Sequence, residues 1–156
     1  MIAVLQRAQR AAVRVDDAVT GEIGKGLLVL LGVAEGDSEK EAEMLAAKVL
    51  RCRIFEDEEG RMNRSVTDVG GGVLVVSNFT LLANYRRGNR PDFMGAAAPA
   101  RANELYEYFT DLVRREVCSV GTGIFGADMQ VELVGDGPVT IVMDSNQLKR
   151  KKGSAQ

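Results

Sequence analysis

The sequence predicts an α/β protein. It reads as a single compact domain, a mixed β-sheet or partial barrel of about five to seven strands with two main helices. Three observations predict it. Two aliphatic runs, Leu27 to Val33 and Val73 to Val76, show no polar alternation, as strands buried on both faces do. Two other stretches, 42–52 and 99–113, repeat apolar residues at helical spacing. The 156 residues, 46% of them hydrophobic and 27% charged, suffice for one domain with a real core, and no repeat or linker divides them.

The elements follow in order. Ile2, Val4, Val13 and Val15 among polar residues read as a strand, or as two joined by a bulge. Arg7, Arg10 and Arg14 are most simply solvated charges on its wet face. Thr20 to Gly26 is a turn-rich link, and its glycine spacing does not make a phosphate loop. Gly26 to Ala34 is a core strand. Ser38 with Glu41 forms a capping box. A helix follows with Ala42, Leu45, Val49 and Cys52 on its buried stripe. Ile54 and Phe55 read as a short strand, and 56–60 as an acidic turn. The core strand at 73–76 comes next. Pro99 suits the first turn of a second helix, with Ala102, Leu105, Phe109, Leu112 and Val113 buried. Tyr106 and Tyr108 read as packing residues. Met129 to Val134 and Val139 to Met143 are strands separated by a turn at 135–138. The first 143 residues make the domain, and 144–156 read as a polar basic tail outside it.

Composition narrows the function. A net charge of −2 gives no generic nucleic-acid footprint, although a local basic patch is still allowed. The apolar runs are too short to span a bilayer, and no secretion signal opens the chain. Cys52 and Cys118 stand in no metal or redox spacing, which fits a reducing cytoplasm. The sequence contains 0 histidines. That removes Ser-His-Asp and Cys-His catalysis and every His-ligated zinc site. No metal or cofactor is expected.

Three stretches could carry a site. The strand at 73–76 runs into Ser77, Asn78, Phe79 and Thr80, where hydroxyls and peptide N–H groups reach the rim of a rigid scaffold. Taken alone, it reads more simply as a Ser/Asn turn. Residues 84–93 set Arg86, Arg87 and Arg90 between Tyr85 and Phe93, a loop suited to phosphate and sugar contacts or simply to water. Residues 121–129 place glycines around Phe125, where backbone approaches something closely.

Ser77-Asn-Phe-Thr-Leu81 and Gly135-Asp-Gly-Pro-Val-Thr140 together resemble the signature motifs of the D-aminoacyl-tRNA deacylases, Ser-Gln-Phe-Thr and Asn-x-Gly-Pro-x-Thr. Gln6-Arg7, the Thr-Gly-Glu-Ile-Gly run at 20–24, the strand at 26–33, the Arg-Gly-x-Arg-Pro at 87–91 and the Thr-Gly-x-Phe-Gly-Ala-x-Met at 122–129 extend the resemblance to nearly the whole chain. Asn78 and Gly135 depart from the pattern. The resemblance implies a homodimer that hydrolyses the ester joining a D-amino acid to the terminal adenosine of tRNA, and that also removes glycine. It implies no membrane or DNA partner. A cis Gly137-Pro138 peptide would enter the partner subunit's site, held by Arg7, and exclude L side chains. Backbone N–H groups of Phe79 and Thr80 would form an oxyanion hole, with Ser77 and Asn78 beside them and the adenosine 2′-OH as proton mediator. Phe125, Gly126, Ala127, Met129 and Thr140 would bind the adenosine, and Arg86, Arg87 and Arg90 the acceptor-stem phosphates. The alternatives are a non-catalytic dimeric tRNA-binding module and an esterase for other activated acyl groups.

Overall fold

The computed structural model describes residues 1–149. In chain order the elements are β1 (Ile2–Val15), β2 (Ala18–Ile23), β3 (Gly26–Gly32), α1 (Glu39–Arg51), β4 (Phe55–Glu56), β5 (Met62–Arg64), β6 (Gly72–Ser77), α2 (Pro99–Arg114), β7 (Val120–Thr122) and β8 (Gln130–Asp144). Short 3-10 turns follow β6, at Phe79–Leu82, and β8, at Ser145–Gln147.

β1 is the hub. One edge pairs antiparallel with β3 along its first half and with β2 along its second. Its other edge pairs with β8 along nearly its whole length. β3 then pairs parallel with β6, and β6 with β7. Parallel neighbours need long crossovers, and α1 and α2 supply them. The six-stranded sheet curls until β2 meets β7, so the barrel is nearly closed. There Thr20 Oγ1 donates to the Thr122 carbonyl at 3.2 Å. β4 and β5 form a separate hairpin.

Side chains alternate across β6 as the pleat requires. Val73 and Val75 pack with Leu45, Val49, Leu105 and Phe109 under the two helices. Leu74 and Val76 pack on the other face with Ala8, Ala11, Val13 and Leu28. Each fully buried Val, Leu or Phe among them contributes about 1.5–3 kcal/mol.

Both helices start where the sequence places them. The Glu41 carboxylate accepts from the Ser38 backbone N–H at 2.8 Å and from its hydroxyl at 2.6 Å. That hydroxyl bond outweighs burial and holds the Glu41 carboxyl at about 2. Pro99 occupies the first turn of α2. Glu39 and Arg101 then tie the helices together through paired bonds of 3.0 and 3.1 Å.

Several expectations are corrected. The link expected at 20–26 is mostly β2, because β1 offers its edge to those residues. β5 and β7, three residues each, carry too little pattern to be read from the sequence. Cys52 lies one residue past the last turn of α1, as its C-cap, and is partly buried against the same core as Ala42, Leu45 and Val49. The turn expected at 135–138 lies within one continuous strand. Pairing passes from Gln6↔Thr140 to Ala8↔Gly135, so residues 136–139 bulge opposite Arg7 alone. The expected tail begins too early as well. Asp144 ends β8, and Ser145 is fully buried with its Oγ accepting from the Met1 amine at 2.9 Å. The rest of the basic tail, 150–156, lies outside the described residues.

The parallel pair β3–β6 starts with Gly26 opposite Gly72, and a Cβ on Gly26 would lie 1.9 Å from the Gly72 carbonyl oxygen. Gly26→Ala is therefore expected to lower stability by about 1–3 kcal/mol or more. Gly24→Ala, whose Cβ meets nothing within 4 Å, should stay within about 0.5 kcal/mol. Urea unfolding midpoints of the two variants check this.

Candidate active site

The ladder between β3 and β6 ends at Leu31↔Ser77. Asn78 N–H still donates to the Leu31 carbonyl at 2.8 Å, and then the chain turns away. A cavity of about 560 Å³ opens at this point. Ser77, Asn78 and Phe79 line one side, and Phe125, Gly126, Ala127 and Met129 another. Phe93, the run from Ala96 to Pro99, and Tyr106 complete the wall. Phe93 meets Phe79 edge to face, with centroids 5.1 Å apart. Tyr106 lies 6.0 Å from Phe125.

The lining contains no carboxylate, amine, guanidinium or thiol. Its one ionisable group, the Tyr106 phenol, donates to the Val75 carbonyl at 2.9 Å, and burial pushes its pKa up to about 12. No side chain of the cavity can therefore exchange a proton near neutral pH. Main-chain donors are available instead. Phe79 and Thr80 open the 3-10 turn, so their N–H groups have no acceptor within it.

Ser77, Asn78 and Met129 also border a second cavity of about 370 Å³, together with Gln6, Leu28, Leu30, Val76, Val131 and Leu133. The end of β6 thus stands between two concavities, both largely apolar.

Most of the expected site residues converge here: Ser77, Asn78, Phe79, Phe125, Gly126, Ala127 and Met129 share the first cavity. Thr80 does not line it; its hydroxyl donates back to Asn78 Oδ1. Thr140 does not line it either. It sits on β8 with its Oγ1 donating to Gln6 Oε1 at 2.6 Å, one bond away from the second cavity. Gly137 and Pro138 form the exposed bulge of β8 and line neither cavity. Their peptide is cis. Gly137 has φ +141°, and a Cβ there would lie 2.5 Å from Val139 N, so no other residue fits easily.

Arg7 corrects the reading of a solvated charge. It is only 7% exposed. Its Nε donates to the Asp136 carbonyl at 3.0 Å, with the Asp136 carboxylate 3.3 Å away, and Nη1 donates to the Ile54 carbonyl at 2.7 Å. Arg7 thereby pins the base of the bulge from below within its own chain. Arg86, Arg87 and Arg90 are all exposed, on a loop closed by the Asn84–Asp92 bridge. Tyr106 and the run from Ala96 to Pro99 also line the first cavity, although the sequence assigns them no part in a site. The small residues just before a helix were the one available signal that something approaches closely there.

Comparison with known proteins identifies the family. Residues 4–144 match the family model described as D-Tyr-tRNA(Tyr) deacylase. A D-aminoacyl-tRNA deacylase of Anaeromyxobacter dehalogenans is 59% identical over 148 residues, covering 95% of this chain and 99% of its own. One of Deinococcus radiodurans is 58% identical over 144 residues, covering 92% and 99%. A solved structure titled c-Myc DNA Unwinding Element Binding Protein superposes with a TM-score of 0.88 at 41% identity, covering 92% of this chain and 98% of that one. A probable eukaryotic D-amino acid tRNA deacylase, at 18% identity and a TM-score of 0.78, shares the fold. The relatives and the family model define a hydrolase. More narrowly, the chain belongs to the D-Tyr-tRNA(Tyr) deacylase family.

Tyr106→Phe removes the bond to the Val75 carbonyl without opening the wall. It is expected to cost about 0.5–1.5 kcal/mol of stability. A phenol held at about 12 is protonated throughout the neutral range, so the pH–rate profiles of variant and wild type should superimpose there. Thermal unfolding and hydrolysis rates across pH measure both.

Proposed function

We propose that this protein hydrolyses the ester between a D-amino acid and the terminal adenosine of tRNA, working as a homodimer in the cytoplasm. The observation that carries this reading is a cavity at the end of β6 without an acid–base side chain active near neutral pH. An aminoacyl ester is already activated, so stabilising its tetrahedral intermediate supplies most of what its hydrolysis needs. The Phe79 and Thr80 N–H groups are the donors for that oxyanion, each worth about 2.7–4 kcal/mol. Water attacks the carbonyl carbon, and the C–O bond to the ribose breaks. The 2′-OH of the same ribose relays the proton to the departing 3′-oxygen. Ser77 and Asn78 frame the ester, and Thr80 positions Asn78 rather than attacking.

The adenosine occupies the first cavity, against Phe125, Gly126, Ala127 and Met129. Thr140 acts through Gln6 at the second cavity. Arg86, Arg87 and Arg90 meet acceptor-stem phosphates. Gly137-Pro138 of one protomer enters the second cavity of its partner, where its carbonyls stand in the place of an L side chain. Two features support this exchange. The bulge lines neither cavity of its own chain. The exposed apolar side chains of Val131, Leu133, Val134 and Val142 along β8 also offer a surface for a second copy to cover. A filter that excludes one hand tolerates many D side chains. It also accepts glycine, including glycine mischarged on tRNA-Ala.

Two experiments test this reading. Purified protein should release D-Tyr from D-Tyr-tRNA and leave L-Tyr-tRNA essentially intact; equal rates on both would remove the chiral filter. Thr80→Ala should keep substantial deacylation activity. Its complete loss, together with an acyl-enzyme trapped in the wild type by acid quench, would make Thr80 a nucleophile.

A further inference from the structure

A third cavity, of about 310 Å³, lies between α2 and β7, and the proposed function leaves it unused. It shares Tyr106 and Phe125 with the adenosine cavity, so these two aromatics form a common partition. Its character is different. Asn103 and Glu107, one helical turn apart on α2, present a carboxamide and a carboxylate to it. Arg114 lies two turns further on, with Nη1 engaged by Asp111 at 3.0 Å and its other donors remaining.

We propose that this cavity is a subsite for the nucleotide that precedes the terminal adenosine. The inference rests on the reading above of the adenosine cavity. Single-stranded RNA is read by splaying bases apart, stacking them on aromatic rings and bonding their Watson–Crick edges. One nucleotide step is long enough to put successive bases on opposite sides of a ring, and Phe125 borders both cavities. The terminal base enters the largely apolar room and the preceding base the polar one. In tRNA that base is cytosine. Its exocyclic amine is a donor that suits the Glu107 carboxylate, while the adjacent N3 is an acceptor that suits the Asn103 amide one turn away. Uracil reverses the first of these and would meet the carboxylate with a carbonyl. The subsite thus reads a base, whereas the arginine loop at 84–93 reads backbone charge.

The test compares D-tyrosyl esters of adenosine, cytidylyl-adenosine and uridylyl-adenosine. With wild-type protein, kcat/KM should rise about tenfold from adenosine to cytidylyl-adenosine, mainly through KM, and rise much less with uridylyl-adenosine. Asn103→Ala and Glu107→Ala should bring the ratio of the first two toward one. Glu107→Gln, which offers the uracil carbonyl a donor, should narrow the preference for cytidine over uridine. Equal rates on the three esters would overturn the subsite, and so would a gain that none of the variants changes. Absence of turnover on all three and on D-Tyr-tRNA would instead overturn the esterase reading. The amide-linked analogues then decide the subsite by calorimetry, and equal Kd values with and without the cytidine would refute it.

Discussion

The parallel pairing of β3 with β6, buried on both faces, is the constraint on which the rest depends. Both strands are packed on one side under the helices and on the other inside the curled sheet. The register of the pair is pinned at its start, where Gly26 faces Gly72 so closely that a Cβ on Gly26 would lie 1.9 Å from the Gly72 carbonyl oxygen. The point where the ladder stops is therefore fixed, and it stops at Ser77. The last bond, from Asn78 N–H to the Leu31 carbonyl, sets the direction in which the next peptide planes point. Donors that act through main-chain geometry need this kind of support, because no side-chain rotamer can correct a misplaced backbone.

The same logic accounts for the two departures from the family pattern. What fixes Asn78 is its backbone bond to Leu31, which a shorter side chain leaves untouched. Its carboxamide then turns to the nearest donor, the Thr80 hydroxyl. At Gly135 a Cβ would meet nothing within 4 Å, so the missing side chain leaves no packing defect at the foot of the bulge.

The two core strands and both helix starts were legible in the sequence because each depends on local chemistry. Leu27 to Val33 lacks alternation; Ser38 and Glu41 lie within one turn; Pro99 pre-sets its own φ. The misreadings involve partners far away along the chain. Arg7 looks like a solvated charge until the Asp136 carbonyl, 129 positions later, accepts its hydrogen bond. Residues 20–23 carry a turn-forming glycine, yet the open edge of β1 makes them a strand. The Gly-Pro segment looks like a hairpin turn because nothing local indicates that β1 pairs on both sides of it. Tyr106 was legible as a packing residue and is one, but its ring also walls two cavities.

Sheet order bears directly on how the proposed site is completed. β8 adjoins β1 on the edge away from β3, so the order across the sheet runs β8, β1, β3, β6. Three strand spacings, about 14 Å along the sheet, separate the strand that carries Pro138 from the strand that ends in Ser77. Arg7 fixes the foot of the bulge to β1 and to the Ile54 carbonyl, which keeps the dipeptide on its own side of that span. The second cavity is bordered by Val131 and Leu133 of β8 and by Gln6 of β1, yet the bulge at 136–139 lines no part of it, because Arg7 ties its foot to β1 and to the Ile54 carbonyl. A second copy related by a two-fold axis would supply the proposed barrier without disturbing that arrangement, each bulge meeting the other chain's cavity while both β1–β8 ladders stay intact.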